Sequence, residues 1–339
     1  MTEGPTPLPP KSHSENKLLD YVRPVDWHNP EPRNPYDLVI VGAGPAGLAA
    51  ADLAIRLGLR VALIERNRLG GNSLNAGTVP SKAIIHAAHA YAAKRQAEEF
   101  YASGFTDPGL NFGAVMARMA RLRTRIAEYH SAGRLQTLGV DLFFGDARFS
   151  GPSDILIGGT RLHFRKALVA TGARPKPSNI SGLDQVGYHT SESIFELEEL
   201  PKRLVVIGGG PLGCEVAQAY CRLGAHVTIV QNDPKFLPRE ERDAAETLSR
   251  SMARDGVVIR LNTTVVGARL QGGTKCLDTL NNEVKDCIEA DVVLLSIGRV
   301  PNTEALGLDI AGIECDGAQG ITVDDFLCTT NENVYAAGD

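Results

Sequence analysis

Two stretches decide the fold, Asp37-Leu-Val-Ile-Val-Gly42-Ala-Gly44-Pro-Ala-Gly47 and Leu204-Val-Val-Ile-Gly208-Gly-Gly210-Pro-Leu-Gly213. Each is an apolar run followed by the spacing G-x-G-x-x-G, a helical segment and a second apolar run. The second run closes at Glu65 in the first copy and at Gln231 in the second, so residues 42–65 and 208–231 have the same length. This internal repeat of strand, glycine turn, helix and strand predicts two α/β units with parallel sheets.

The glycine turn is typical of dinucleotide binding. Its first glycine makes the tight turn, the second lets a pyrophosphate approach the backbone, and the third lets the helix pack on the strand. The helix then presents free N–H groups to the phosphates. Glu65 can accept hydrogen bonds from the ribose hydroxyls of an adenosine. Gln231 is neutral and does not repel a 2′-phosphate, so the second copy is not assigned to NAD or to NADP.

Composition excludes several classes of protein. The chain has 339 residues, which is room for two domains, and its 43% hydrophobic content is typical of globular proteins. A net charge of −5 argues against nucleic-acid binding. Six cysteines are too few and too scattered for a disulfide scaffold, and no C-x-x-C pair or His/Cys cluster predicts a metal site. The sequence shows no signal peptide or membrane span, so we expect a cytoplasmic protein with reduced thiols.

Local patterns predict the elements around the two repeats. Residues 1–35 form a proline-rich tail in which regular structure is not expected over most of the length, although its apolar residues could dock on the folded body. These apolar residues are Leu18, Leu19, Tyr21, Val22 and Trp27. Helices are expected over residues 80–105 and 112–138. The second helix carries arginines that we interpret as a solvated face, namely Arg118, Arg121, Arg123 and Arg125.

One further segment carries a family resemblance. Gly70-Gly71-Asn-Ser73-Leu-Asn-Ala-Gly77-Thr78-Val-Pro80-Ser81-Lys82 resembles the signature of the FAD-dependent pyridine nucleotide-disulfide oxidoreductases. That family includes dihydrolipoamide dehydrogenase, glutathione reductase and mercuric reductase, and this chain looks most like the mercuric-reductase-like members. The resemblance covers about residues 36–339. Its other motifs follow in the family's order, and they are Ala170-Thr171-Gly172, the second glycine turn with Glu215, Gly298-Arg299-Val-Pro301-Asn302 and Val334-Tyr-Ala-Ala-Gly338-Asp339.

The resemblance implies two Rossmann-like domains, the second inserted in the first. FAD would occupy residues 36–184 plus 314–339, and NAD(P)H would occupy residues 185–313. Lys82 matches the family lysine near the flavin N5, and Glu215 matches its ion-pair partner, so both receive catalytic roles. The implied cofactor contacts in the FAD-binding part and its signature are Gly42, Gly44, Gly47, Glu65, Gly70, Gly71, Ser73, Thr78, Lys82, Ala170, Thr171, Gly172 and Asp339. Those of the nicotinamide part are Gly208, Gly210, Gly213, Gln231 and Gly298.

Two departures from the family pattern limit what the resemblance implies. Ser73 and Thr78 stand where the family has its redox-active cysteines, and a hydroxyl cannot form a disulfide or a thiolate. Cys214 and Cys221 lie seven apart on one predicted helix, and we expect them to be core thiols. The sequence stops at Asp339, where family members continue into an interface domain that builds the homodimer and supplies a His–Glu pair. We therefore expect that domain to be missing, with a fragment and a full gene product both left open.

These features predict an FAD-dependent oxidoreductase that takes hydride from NAD(P)H to FAD and passes electrons to a small-molecule acceptor without the family disulfide. Soluble pyridine nucleotide transhydrogenases resemble the segment from Gly77 to Lys82, with threonine in place of the second cysteine. The alternative is a non-catalytic or degenerate FAD-binding flavoprotein, either a pseudoenzyme or a fragment. A mercuric or disulfide reductase is the third possibility. No nucleic-acid or membrane partner is expected.

Overall fold

The computed structural model describes residues 13–100 and 109–339, which form a mixture of helices and strands. The helices are α1 (His13–Val22), α2 (Pro45–Arg56), α3 (Gly71–Asn75), α4 (Thr78–Phe100), α5 (Phe112–Glu128), α6 (Ala132–Thr137), α7 (Leu183–Val186), α8 (Pro211–Arg222) and α9 (Arg242–Arg254). One 3₁₀ turn covers Ile194–Glu196. Within these described residues, no helix is long and apolar enough to cross a membrane.

The strands belong to several sheets. In chain order they are β1 (Tyr36–Val41), β2 (Val61–Glu65), β3 (Asp141–Phe144), β4 (Ala147–Gly151), β5 (Asp154–Ile157), β6 (Thr160–Val169), β7 (Ala173–Pro175), β8 (Arg203–Ile207), β9 (His226–Val230), β10 (Val258–Arg260), β11 (Thr264–Gln271), β12 (Thr274–Asn281), β13 (Val284–Ala290), β14 (Val292–Leu295), β15 (Arg299–Pro301), β16 (Cys315–Asp316), β17 (Gly320–Ile321) and β18 (Val334–Ala336).

The chain forms two compact units. The first comprises the described residues up to Asn75, Ala120–Arg174 and Val300–Asp339, and the second comprises those within Ala76–Met119 and Pro175–Arg299. These bounds differ from the domain bounds expected from the sequence. Residues 76–119 and 175–184 group with the second unit, and residues 300–313 group with the first. The cofactor held by each unit stays a prediction.

The first unit is built on one large sheet with the strand order β3-β2-β1-β6-β5-β4, and β18 also pairs with β6. Strands β3, β2, β1, β6 and β18 run parallel, whereas β5 is antiparallel to both β6 and β4. Its core holds aliphatic and aromatic side chains from both parts of the sheet, including the fully buried Tyr36, Phe143 and Val334. The parallel strands end at one edge, where the first glycine turn begins.

The second unit repeats this plan with a four-stranded parallel sheet of order β10-β9-β8-β14. A three-stranded antiparallel sheet, β11-β12-β13, contributes Leu277 and Ile288 to a core shared with Val205 and Val293. Both sequence repeats therefore fold as the strand, turn, helix and strand that were predicted, and the α/β class with two Rossmann-like units is confirmed.

Local expectations are met in part. The tail contains the short helix α1, and the allowed docking is seen, since Leu18 and Val22 are fully buried and Trp27 donates to the Leu142 carbonyl. The helix expected over 112–138 is two helices, because the Ser131 hydroxyl accepts a bond from the Arg134 N–H and caps α6. Arg123 is buried rather than solvated, and it donates to the Asn75 carbonyl. Of the helix expected over 80–105, residues 101–105 lie outside the described residues.

Candidate functional site

The first glycine turn joins β1 to α2 in the first unit. Gly42 has φ +105°, and a Cβ there would overlap the Ala170 carbonyl, so only glycine fits. A Cβ at Gly47 would overlap the Gly42 carbonyl. Gly44 differs, because a Cβ there would lie 3.9 Å from the Gly71 Cα in ordinary contact. The first and third glycines are thus required by the fold itself, whereas the second leaves its backbone open to a ligand.

The second glycine turn, between β8 and α8 in the second unit, has the same arrangement. Gly208 has φ +101°, and a Cβ there would overlap the Ser296 carbonyl. A Cβ at Gly213 would overlap the Gly208 carbonyl, whereas one at Gly210 would have nothing within 4 Å. A Cβ on the middle glycine of either turn would thus overlap no other atom, as expected if the backbone there faces a pyrophosphate.

The closing residues of the two repeats make the same hydrogen bond. Glu65 Oε2 accepts from the Ala43 N–H at 2.9 Å, and Gln231 Oε1 accepts from the Gly209 N–H at 2.8 Å. Glu65 Oε1 also accepts from the Asn67 N–H at 2.8 Å. Burial raises the pKa of Glu65, and hydrogen bonds from the Asn67 and Ala43 N–H groups partly oppose the shift. Each closing side chain is thus fixed against its own glycine turn, and each keeps hydrogen-bonding groups that a ribose hydroxyl could use.

The structure adds a third element to the repeat that sequence reasoning missed. Ala170 follows β6 and Ser296 follows β14, and each carbonyl packs against the first glycine of its own unit. Two residues further on, Gly172 and Gly298 both have positive φ and open space around them. The sequence did contain a signal for this element. A small residue, any residue and a glycine follow β6 as Ala170-Thr171-Gly172 and follow β14 as Ser296-Ile297-Gly298.

Asn302 was quoted as part of a motif without a role, and the structure supplies one. Its Nδ2 donates to the Thr171 carbonyl at 3.0 Å, and its backbone N–H donates to the Gly172 carbonyl at 2.8 Å. Arg174 in turn donates to Asn302 Oδ1 and makes a two-point ion pair with Glu304. This network fixes the segment Ala170-Thr171-Gly172 in its place beside Gly42.

The signature segment begins in contact with the first turn. The Gly70 N–H donates to the Ala43 carbonyl at 2.8 Å, and a Cβ at Gly71 would lie 2.8 Å from the Gly44 Cα. Ser73 is half-buried in α3, within the first unit. At the other end of the chain, Gly338 lies beside Ala46 at the start of α2, and a Cβ there would be 3.6 Å from the Ala46 Cβ. Asp339, the next residue, therefore lies near the same end of α2.

The second unit holds the two residues given catalytic roles. Lys82, on α4, makes an ion pair with Glu215, on α8, at 2.5 Å. Glu215 follows Gly213 by two residues, so the pair stands near the α8 end that carries the second glycine turn. Beside it lies a cavity of about 250 Å³ between α4 and α8, which His89 and Arg222 also line. The structure thus brings Lys82 and Glu215 together, as predicted. It also places His89, to which the sequence analysis gave no role, at the same cavity.

Other predicted residues lie on the same two helices as this pair. Thr78 is exposed and is the first residue of α4. Cys214 and Cys221 are buried in α8, as expected of core thiols. Burial, with a smaller contribution from Glu215, raises the pKa of Cys214 to about 12. Across residues 13–100 and 109–339, no group of three or more His, Cys, Asp or Glu side chains is placed to hold a metal ion.

The residues present fit two dinucleotides. At each turn a backbone free of side chains faces an open space at a helix N-terminus, where N–H groups and the helix dipole favour phosphate.

The sequence profile of the family described as "Pyridine nucleotide-disulphide oxidoreductase" matches residues 36–339. The chain belongs to this family. Its members use FAD and NAD(P)H, the two cofactors predicted from the sequence.

Individual relatives agree with this assignment. The chain is 32% identical over 304 residues to a mercuric reductase from Lysinibacillus sphaericus, covering 90% of this chain and 56% of the relative. It is 34% identical over 307 residues to a dihydrolipoyl dehydrogenase from Thermus scotoductus, covering 90% of this chain and 66% of the relative. The chain thus spans between about half and two thirds of the curated relatives that it matches.

A solved structure shares the fold. The HOCl-induced flavoprotein disulfide reductase RclA from Escherichia coli superposes with a TM-score of 0.77 at 28% sequence identity, covering 90% of this chain and 66% of that one. The predicted resemblance to the family is therefore confirmed by sequence and by structure.

Proposed function

We propose that this protein is an NAD(P)H-dependent FAD oxidoreductase that delivers electrons to a small-molecule acceptor without a cysteine pair. The observation that carries the proposal is the matched geometry of the two glycine turns, each with an open middle glycine and a closing side chain bonded to the turn. An ion pair of the kind that the family places near the flavin accompanies them.

In the first unit, the backbone around Gly44 would hold the pyrophosphate of FAD, and Glu65 would hold its adenosine ribose. The Glu65 carboxylate has two oxygens with two lone pairs each, so the bonds to Ala43 and Asn67 leave acceptor capacity for the ribose hydroxyls. Gly71 packs against Gly44 and closes the far side of the same turn.

In the second unit, Gly210 would face the pyrophosphate of NAD(P)H. Gln231 uses its oxygen on the Gly209 N–H, which leaves its amide N–H groups as donors. A donor accommodates a ribose hydroxyl or a 2′-phosphate, whereas a carboxylate would repel the phosphate. We therefore propose that the second site accepts both NADH and NADPH.

When bound, FAD supplies two-electron chemistry between a nicotinamide and an acceptor. The chain's contribution is electrostatic and positional. The Lys82 ammonium offers a positive charge that stabilises developing negative charge, and Glu215 holds that ammonium at 2.5 Å. The N–H groups in the first turn of α8 would hold the phosphates of the nicotinamide cofactor.

The signature segment does not supply the family disulfide in this scheme. Ser73 and Thr78 carry hydroxyls, which are neither nucleophilic thiolates nor two-electron carriers. Cys214, the thiol nearest in sequence to the second glycine turn, remains protonated at neutral pH because its pKa is raised to about 12. These features support an acceptor that takes electrons directly, such as a quinone, a dye, dioxygen or a second nicotinamide.

Anaerobic stopped-flow mixing of FAD-loaded protein with NADH and with NADPH tests the proposal. We expect flavin absorbance to bleach with both nucleotides and to return on addition of a quinone. Bound FAD that neither nucleotide bleaches would instead support the alternative, a non-catalytic flavoprotein. Homodimers are typical of the family, and light scattering on the purified protein measures whether this chain forms one.

A further inference from the structure

The chain before Tyr36 precedes the residues that the family's profile matches, and it belongs to the first unit. It contributes α1 and a non-helical segment, residues 23–35, that includes a turn and bonds to the edge strand β3. The side-chain amide of Asn29 donates to the Phe144 carbonyl at 3.0 Å and accepts from the Phe144 N–H at 2.8 Å. These are the two backbone groups that a neighbouring strand would bond. Trp27 Nε1 donates to the Leu142 carbonyl at 3.3 Å.

The far end of the segment is held by charge. Arg33 donates to both carboxylate oxygens of Asp141 at 2.7 Å, and the Tyr36 hydroxyl donates to the same carboxylate at 2.7 Å. Two-point guanidinium–carboxylate pairs are among the stronger polar contacts in proteins. Residues 27–36 are therefore an integral part of the first unit.

The near end reaches the loop that connects Glu65 to Gly70. Arg23 Nη1 donates to the carbonyls of Arg66 and Asn67, both at 3.2 Å, and its guanidinium lies 4.4 Å from the centre of the Phe144 ring. The Val22 carbonyl, in the last turn of α1, accepts from the Leu69 N–H at 3.0 Å. The loop is thus bonded to the α1 end at three backbone groups.

This loop separates the two parts of the proposed FAD site. Glu65, before it, would bind the adenosine ribose, and Gly70, after it, bonds to Ala43 in the glycine turn. Burial raises the pKa of Glu65, and the positive charge of Arg23 is among the smaller influences that lower it. Arg23 consequently favours the ionised carboxylate that a ribose would need as an acceptor.

From these contacts we propose that the α1 end, through Arg23, is a positioning element of the adenosine-binding part of the FAD site. The inference rests on the proposed function, since it assigns FAD to the first unit. Arg23 acts by fixing the loop between Glu65 and Gly70, with no contact to the flavin ring required. The affinity of any ligand that contains adenosine diphosphate should therefore depend on Arg23, whether or not the ligand carries a flavin.

The test compares Arg23→Ala, Arg23→Lys and the control Arg56→Ala, which removes an exposed arginine paired with Asp52 on the helix surface. The FAD dissociation constant of each apoprotein is measured by flavin fluorescence, and that of ADP by displacement of bound FAD. Apoprotein melting temperature is recorded in parallel. We expect Arg23→Ala to weaken FAD and ADP by the same factor, about tenfold. Arg23→Lys should recover part of the loss, since a lysine reaches one carbonyl, and the control should match the wild type.

The outcomes separate the two claims. A wild-type apoprotein that does not bind FAD would overturn the proposed function and this inference with it. Wild-type binding that is unchanged in Arg23→Ala would overturn the inference alone. So would a weakening of FAD without an equal weakening of ADP, or a loss in Arg23→Ala that follows a fall in apoprotein melting temperature and is not eased by lysine.

Discussion

Gly210→Ala separates ligand binding from folding at the second glycine turn. Gly210 has φ −75° and ψ 176°, which alanine adopts without strain, and an added Cβ would have no atom within 4 Å. Alanine restricts the unfolded chain and gains ~0.4–1 kcal/mol, whereas its poorer N-capping costs a similar amount. The free energy of unfolding should therefore stay within about 1 kcal/mol of the wild type.

The same methyl group would stand where the nicotinamide pyrophosphate must approach the backbone. Inserting a methyl into a closely fitted contact costs ~1–3 kcal/mol, which corresponds to roughly 5- to 150-fold weaker binding. Dissociation constants for NADH and NADPH, from isothermal titration of the FAD-loaded protein, measure this loss. Thermal melting of the apoprotein measures the stability.

Two further variants complete the design. Gly208→Ala places alanine at φ +101° and in overlap with the Ser296 carbonyl, so it should lower the melting temperature markedly. Gly133→Ala, in α6 with open space around it, is the control that should change neither binding nor folding adversely. A folded Gly210→Ala protein with wild-type affinity for both nucleotides would refute the placement of the pyrophosphate.

Three further predictions concern single side chains. Gln231→Glu should keep the bond to the Gly209 N–H but repel a 2′-phosphate, lowering NADPH affinity about tenfold with NADH affinity retained; equal losses for both nucleotides would contradict this. Lys82→Met should slow flavin reduction by NADH roughly tenfold or more in stopped flow, since it removes a positive charge, with FAD affinity unchanged. Glu65→Gln keeps an acceptor for Ala43 and removes a carboxyl whose pKa is raised by burial. A raised pKa favours the folded state at acid pH, and this advantage disappears as the pH rises through the folded-state pKa of Glu65. Thermal melts should therefore show the variant gaining stability relative to wild type as the pH is raised from about 4.5. A difference that does not change with pH would contradict the assignment.

The repeat carried most of the fold information. Apolar runs, glycine spacing and closing residues are local signals, and they predicted β1, α2, β2 and their counterparts β8, α8 and β9. A usable signal for α1 was also present, because residues 11–23 contain no proline and have apolar residues at helical spacing. The break before α6 was marked by Ser131, a good N-cap, and by Gly133 two residues later, a weaker signal than the glycine turns of the repeats.

Other features of the site depend on contacts between distant parts of the chain. The packing of the Ser296 carbonyl against Gly208 follows from the pairing of β14 with β8, which no local pattern specifies. Likewise, the bond from Asn302 to the Thr171 carbonyl and those from Arg23 to the loop after Glu65 join residues far apart in sequence. Arginine is usually exposed, so the burial of Arg123 required the tertiary structure to be known.

A reductive titration tests most directly the claim that this protein works without the family's cysteine pair. Dithionite is added anaerobically to FAD-loaded protein, and flavin absorbance is followed to complete bleaching. With Ser73 and Thr78 in the signature, we predict an endpoint at two electron equivalents per FAD and no long-wavelength thiolate–flavin band. An endpoint at four electron equivalents, with such a band at the midpoint, would reveal a redox-active disulfide and contradict the account.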